Sequence, residues 1–227
     1  MPKQLRSLTA EFVGTLLFVF VGAGSVVASV AGGLGAASIG PVGVALAHGV
    51  GMAVIVSMTM SISGAHLNPA VTFGLWIADK IDGGRAGQYV LAQLLGGFAG
   101  AALVKALLPR SAVALALVGT PHLAAEISFT QGVWIEAAFT FFLVSAVFGT
   151  AVSSEAPKIG GFGIGLAIFV AALVAGGWTG AVLNPARALG PALVAWQWNA
   201  HAVYWIGPLI GGGVAGAVWK AILLPRA

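Results

Sequence analysis

The sequence contains no cysteine and very little charge. Charged residues make up 7% of the 227 positions and hydrophobic residues 59%, whereas a typical soluble domain carries roughly 25% charged residues. The lack of cysteine excludes disulfides, thiolate metal sites and cysteine nucleophiles. A globular protein needs more charged side chains than this to keep its surface in water. Most of the exterior must therefore face lipid.

The few polar groups exclude several functions as well. The net charge of +4 comes from scattered lysines and arginines without a basic run or patch, so no nucleic-acid partner is expected. The apolar segments bring together no Ser/His/Asp set, no metal-binding group and no paired carboxylates. An enzyme is therefore not expected, and neither is a metal ion or another cofactor.

Long apolar stretches make up most of the chain. A helix needs about 20 apolar residues to cross the hydrocarbon core of a bilayer, and six stretches are predicted to cross it. They cover residues 8–30, 39–61, 86–108, 132–151, 161–175 and 202–224. Glycine and alanine within them let helices pack closely in lipid. The sequence therefore predicts an all-α membrane protein with six transmembrane helices.

The basic residues predict the orientation of these helices. With the N-terminus inside, seven of the ten Lys and Arg side chains lie on the inner side, and an excess of basic residues marks cytoplasmic loops. Both termini are therefore predicted to be cytoplasmic. The composition favours the cell (plasma or inner) membrane.

The two halves of the chain resemble each other. The segment LNPA at Leu67 recurs at Leu183, an offset of 116. Each half has three predicted spans, so equivalent elements enter the membrane from opposite sides. This pattern predicts one domain, residues 1–227, built from inverted repeats at about 1–115 and 125–227.

Each half also contains an apolar stretch that is too short to span, at residues 69–76 and 185–194. Ten helical residues cover about 15 Å, half of a hydrocarbon core of about 30 Å. We therefore predict two re-entrant half-helices, which are tolerated only inside protein or along a water-filled cavity.

An Asn-Pro-Ala triplet opens each half-helix. The triplets are Asn68, Pro69, Ala70 and Asn184, Pro185, Ala186. Asparagine is a favoured N-cap and proline a favoured first helical residue, while the asparagine amides can donate into a pore. Inverted symmetry brings both positive helix ends to the centre, where they oppose protons and cations. An ordinary capped helix is the alternative for one triplet, but two symmetric copies disfavour it.

Three polar residues accompany these segments. Glu11 and Glu136 are single acids at matching positions of the first and fourth spans. We predict that they accept hydrogen bonds from the non-helical backbone before each half-helix, and a proton relay is the alternative. His66, two residues before Asn68, is predicted to face the inner vestibule or to bond to the loop.

The segments SGAHLNPAVTFG (63–74) and LNPARALGPA (183–192) resemble the signature loops of the major intrinsic protein, or aquaporin, family. The resemblance covers essentially the whole chain. It implies an hourglass pore in each subunit and a homotetramer in the lipid bilayer.

The resemblance also implies a selectivity filter near the outer mouth. The family's four filter positions fall on His48, Ala172, Ala181 and Arg187. An arginine there repels cations and orients water, and an intramembrane histidine is a functional candidate. The alternatives are a snorkelling arginine and a hydrogen-bonded core histidine.

This filter departs from that of strict water channels, which carry Phe and His where this chain has His48 and Ala172. It resembles the tonoplast intrinsic proteins of plants, as do the segments HGV at His48 and AGGWTGA (175–181). His122 matches a loop histidine that lines the mouth in part of that subgroup, and a solvated loop histidine is the alternative. Ala188 and Ala192 replace the Asp and Lys of dedicated glycerol facilitators.

These observations predict a passive channel for water and small neutral solutes, namely ammonia, urea, peroxide or glycerol, that excludes protons and ions. The alternative is an ion-coupled secondary transporter of a small neutral solute. Ion coupling would require carboxylates or carbonyl cages at the centre, where the sequence offers two neutral amides.

Overall fold

The computed structural model describes residues 1–35 and 37–225, and their regular structure is helical. The helices are α1 (Lys3–Val30), α2 (Gly40–Ser63), α3 (Pro69–Ile77), α4 (Gly83–Leu107), α5 (Arg110–Leu115), α6 (Phe129–Val147), α7 (Phe162–Ala175), α8 (Pro185–Ala195) and α9 (Val203–Val218). Short 3₁₀ or π turns extend α1, α6 and α9, and a further 3₁₀ turn, Leu117–Gly119, follows α5.

Five of the helices are long and apolar enough to cross a membrane. With their terminal turns they cover Lys3–Leu34, Gly40–Ser63, Gly83–Leu107, Phe129–Val152 and Val203–Leu223. They match five of the six predicted spans. We call the side on which α1 begins the inner side of the membrane.

The sixth predicted span is the shorter helix α7, which has 14 residues. At 1.5 Å per residue it covers only about 21 Å. Helical hydrogen bonds continue beyond its end, because Gly176, Thr179 and Gly180 each donate to the carbonyl four residues earlier. The helical path therefore reaches Gly180, where the second re-entrant segment begins.

The two half-helices form where the sequence predicts them. The first, α3, has nine residues and the second, α8, has 11. Both begin with proline after an asparagine N-cap in an extended conformation, because proline needs no hydrogen-bond partner there. Each covers about 14–17 Å, half of the hydrocarbon core.

Each half-helix packs against a long helix of the other half of the chain. The first, α3, lies on α9, and the second, α8, lies on α4. Glycines permit the close approach, since a side chain at Gly97 would collide with the Ala186 carbonyl and one at Gly212 with the Ala70 carbonyl. This exchange holds the first turns of both half-helices against the same central region.

The loops that lead into the half-helices share an unusual backbone. Gly64 and Gly180 both have φ of 90°, and the third residue after each, Leu67 and Leu183, has φ of 54°. A left-handed conformation costs a non-glycine residue about 1–2 kcal/mol, so surrounding contacts must hold both leucines in place. These contacts come from the buried side chains of the candidate site.

Candidate functional site

The two asparagines of the Asn-Pro-Ala triplets lie together at the centre of the molecule. Asn68 Nδ2 donates to the Leu183 carbonyl at 2.8 Å, and Asn184 Nδ2 donates to the Leu67 carbonyl at 2.9 Å. Each asparagine is therefore tied to the loop of the opposite half. Each amide has two N–H groups, so one on each asparagine is not engaged by these contacts.

The asparagine oxygens cap the half-helices. Asn68 Oδ1 accepts from the Ala70 amide at 2.8 Å, and Asn184 Oδ1 accepts from the amides of Ala186 and Arg187 at 2.9 and 3.3 Å. With their oxygens occupied, the amide groups can turn only their nitrogens toward a solute. Since both helix N-termini also carry partial positive charge, the centre is a donor-rich, cation-repelling region.

Glu136 holds the second loop in its left-handed conformation. Its carboxylate accepts from the Thr179 hydroxyl at 2.7 Å and from the amides of Val182 and Leu183 at 2.9 and 2.7 Å. The Tyr204 hydroxyl donates to the Thr179 carbonyl at 3.0 Å. The carboxylate thus occupies backbone donors that no helix or strand could satisfy.

Glu11 makes the same contacts in the first loop. It accepts from the Ser63 hydroxyl at 2.6 Å and from the amides of His66 and Leu67 at 3.0 and 2.7 Å. The Tyr89 hydroxyl donates to the Ser63 carbonyl at 2.8 Å. These contacts are the ones that the sequence predicts for two matching buried acids.

Arg187 lies in the first turn of α8 and is buried, with 5% of its surface exposed. Its Nη1 donates to the Gly119 carbonyl at 2.9 Å. The 3₁₀ turn presents this carbonyl through left-handed residues at 117, 118 and 119. Among residues 1–35 and 37–225, Arg187 makes no salt bridge, so its guanidinium is held by a backbone carbonyl and not by a carboxylate.

His48 lies on α2, with its ring against Phe18 of α1 at a centroid distance of 5.9 Å. Its Nδ1 lies 2.9 Å from the Val44 carbonyl, four residues earlier. Gly22 makes room for the ring, since a Cβ there would come within 2.6 Å of Nε2. The neutral ring that donates from Nδ1 presents Nε2 as an acceptor.

An outer cavity of about 360 Å³ brings the predicted filter residues together. The cavity is lined by His48, Arg187, Ala172 and His122, together with Gly119 and the two residues that follow it. Ala181 does not line this cavity and is buried in the loop before Leu183. His122 is exposed at its outer side.

His66 lies on the inner side, between α2 and α3. Its ring packs edge-on against Tyr89 at a centroid distance of 5.0 Å, and its Nδ1 lies 3.1 Å from the Thr72 hydroxyl. The backbone amide of His66 bonds to Glu11. Both uses predicted for this residue, bonding to the loop and facing the vestibule, are compatible with its half-buried position.

Sequence reasoning missed several residues that hold the site. They are Ser63, Thr72, Tyr89, Gln93, Gly119, Thr179 and Tyr204. The two tyrosines could have been found, because the segment at Tyr89 recurs at Tyr204, an offset of 115. Nothing in the sequence marks Gly119, whose role depends on a turn that packs against α1 and α8.

Comparisons with known proteins identify the family of the chain. The sequence profile of the Major intrinsic protein family matches residues 1–219. The chain is 44% identical to Aquaporin TIP4-4 of Zea mays over 98% of this chain and 88% of that one. It is 41% identical to Aquaporin TIP2-1 of Arabidopsis thaliana, over 97% of this chain and 88% of that one.

A solved structure is similar over nearly the whole chain as well. The aquaglyceroporin from Plasmodium falciparum superposes with a TM-score of 0.86 at 25% identity, covering 96% of each chain. The likeness supports the six-span architecture with two half-helices.

One prediction is contradicted by these relatives. The sequence analysis placed the protein in the cell (plasma or inner) membrane, whereas the relatives are TIP aquaporins, tonoplast intrinsic proteins of the vacuolar membrane. The prediction was wrong because an apolar composition indicates that a chain lies in a membrane but does not indicate which membrane. The multi-pass architecture is unaffected, and the chain belongs to the major intrinsic protein family of water and small-solute channels, the aquaporins.

Proposed function

We propose that the protein is a passive pore for water and for small neutral solutes, ammonia first among them, that excludes protons and ions. The observation that carries this proposal is the crossed asparagine pair. Asn68 and Asn184 each keep one amide N–H for the pore while their oxygens and remaining N–H groups are bound to protein. A water molecule that accepts from both cannot readily pass a proton onward.

The outer cavity supports a filter wider than that of a strict water channel. Ala172 contributes only a methyl group beside Arg187 and His48. We infer that His48, Ala172, Ala181 and Arg187 form this filter, with His122 at its mouth. Ammonia resembles water in size and hydrogen bonding, so its passage depends on this width and on the polar wall that His48 provides.

We also infer two properties of the whole assembly. The matched hydrogen bonds of Glu11 and Glu136 support an inverted repeat of residues 1–115 and 125–227 within one domain. Membership of the family supports a homotetramer with a pore in each subunit.

The filter can be tested by narrowing it. The double variant His48→Phe with Ala172→His rebuilds the pattern of a strict water channel, so ammonia and urea fluxes should fall severalfold more than water flux. Proteoliposomes that contain a pH indicator report ammonia uptake, and light scattering of the same preparation reports water. The matched control is Leu46→Phe, which adds an aromatic ring to an exposed, lipid-facing position of α2.

Two results would contradict the proposal. A wild-type ammonia flux equal to that of empty liposomes, beside a high water flux, would make this a water-only pore. A flux that depends on an ion gradient would instead favour an ion-coupled transporter.

Arg187 provides a second test. Replacing Arg187 by valine removes the buried positive charge and leaves both half-helices in place. We expect a modest rise in proton and cation leak, with water flux kept or increased. Leak is measured as dye quenching in proteoliposomes at a clamped voltage.

Arg110→Val is the matched control for that experiment, because Arg110 lies exposed at the start of α5 on the same side of the membrane. An unchanged leak in Arg187→Val would mean that the half-helix dipoles and the asparagine pair exclude cations without the arginine.

A further inference from the structure

Four polar side chains form a continuous hydrogen-bonded chain beside the first half-helix. Gln93 Nε2 of α4 lies 2.8 Å from Glu11 Oε2 and 2.9 Å from the Thr72 hydroxyl oxygen. That oxygen lies 3.1 Å from His66 Nδ1. Glu11, Thr72 and Gln93 are fully buried, so the chain runs from the protein interior to the inner mouth.

Within the described residues, the second half of the molecule has no such hydrogen-bonded chain. The residues at the equivalent positions of His66, Thr72 and Gln93, found by the offsets of 116 and 115, are Val182, Ala188 and Pro208. Glu136 nevertheless holds its loop with three hydrogen bonds. The extra polar groups of the first half are therefore not needed to hold a loop, and they end on His66.

The direction of each hydrogen bond follows from counting donors. Glu11 accepts from four donors, two on each oxygen, which suits an ionised carboxylate that can only accept. The amide nitrogen of Gln93 must therefore face Glu11, and its second hydrogen points to Thr72. The Gln93 oxygen is left buried without a partner among the described residues.

The hydrogen bond between Thr72 and His66 determines which ring nitrogen of His66 carries the proton. The Thr72 oxygen accepts from Gln93, and within the described chain the hydroxyl has only one other partner, His66 Nδ1. If the oxygen accepted from Nδ1 as well, the hydroxyl hydrogen would be buried without an acceptor, so donation to Nδ1 is favoured. When Thr72 donates, Nδ1 must be unprotonated. A neutral imidazole then carries its proton on Nε2.

The ring is oriented so that Nε2 lies near the inner mouth. A Cβ added at Gly64 would lie 3.5 Å from His66 Nε2 and Cδ2, and Gly64 is exposed at the end of α2. Tyr89 packs against the ring and limits its rotation. Nε2 has no hydrogen-bond partner among the described residues.

We propose that Thr72 and Gln93 are positioning residues that hold His66 in the Nε2–H tautomer, so that the inner mouth meets permeating solutes with a hydrogen-bond donor. The assignment rests on the proposed pore. Water, ammonia and urea all have lone pairs that can accept from Nε2–H, whereas ammonium has only donors. His66 thus favours the neutral form of the ammonia couple at the inner mouth.

Nitrogen NMR of the full-length protein in detergent, labelled with ¹⁵N-histidine, reads the tautomer directly. His66→Gln identifies the signals of His66 among the four histidines. The wild type should show Nε2 protonated and Nδ1 as a hydrogen-bond acceptor. Thr72→Val removes the hydroxyl that donates to Nδ1 and keeps the shape of the side chain. The loss of this one hydrogen bond should shift the ratio of the two His66 tautomers toward Nδ1–H by about tenfold.

Two variants separate positioning from packing. Thr140→Val removes a hydroxyl that is also fully buried on a helix but has no hydrogen-bond partner in the part of the chain that the structure describes, so it should leave the His66 signals unchanged. Thr72→Ser keeps the hydroxyl and should restore the wild-type tautomer. If Thr72→Val does not fold, Gln93→Leu should shift the ratio in the same direction.

Either of two results would overturn the assignment: a wild-type His66 protonated on Nδ1, or variants of Thr72 and Gln93 with the wild-type tautomer. Water flux in liposomes is measured on the same preparations. Absent water flux in the wild type would refute the proposed pore alone, because the NMR signals report the hydrogen-bond chain whether or not solutes pass.

Discussion

Replacing Glu136 by leucine should destabilise the protein far more than the loss of any exposed carboxylate. The change leaves the Thr179 hydroxyl and the amides of Val182 and Leu183 buried without an acceptor. Each unpaired buried donor costs about 1–3 kcal/mol, and each kcal/mol lowers the melting temperature of a chain of this size by about 2–4 °C. We expect the melting temperature to fall by about 10 °C or more.

The protein is heated in detergent to a series of temperatures, and size-exclusion chromatography then measures the fraction that remains monodisperse. Glu136→Gln keeps one acceptor oxygen and should lie between the leucine variant and the wild type. Glu155→Leu removes an exposed carboxylate from the loop between α6 and α7 and serves as control. A wild-type melting temperature for Glu136→Leu would show that the loop amides find other acceptors.

Glu11→Leu extends the comparison to the first loop. Glu11 has four donors where Glu136 has three, because Gln93 adds one. If unpaired donors set the loss of stability, the leucine variant at Glu11 should be destabilised at least as much.

The parts of the fold that the sequence predicted are those encoded locally. Apolar length marks the spans, and the Asn-Pro pair marks the start of each half-helix to the residue, at Pro69 and Pro185. The loop carboxylates were predictable too, since a buried acid repeated at matching positions needs donors that the irregular backbone can supply. The short α7 was harder to place, because its helical path ends in the turns that lead to Gly180.

The contacts that cross between elements could not be predicted from the sequence. The sequence predicts Arg187 as a filter residue, but it does not indicate that its partner is the backbone carbonyl of Gly119, which a left-handed turn makes available. The asparagine amides were expected to point into the pore, yet one N–H of each bonds to the opposite loop. Such contacts depend on tertiary packing that residue types alone do not specify.

These crossed contacts make the centre sensitive to an almost isosteric change. In Asn184→Asp the carboxylate can still cap α8, because aspartate is as good an N-cap as asparagine. It cannot donate to the Leu67 carbonyl, however, and it cannot donate to a solute. The variant also adds a negative charge where the two positive helix ends meet.

We therefore expect water permeability of Asn184→Asp to fall severalfold and cation leak to rise, while the protein still purifies as a folded channel. Stopped-flow light scattering reports water flux, and a voltage-clamped leak assay reports cations. Asn199→Asp makes the same chemical change on an exposed loop residue and should alter neither flux. Asn68→Asp repeats the change in the other half, and since Asn68 donates to Leu183 as Asn184 does to Leu67, its effects should match. Folded variants at both positions with wild-type water flux and wild-type cation exclusion would contradict the role assigned to the asparagine pair.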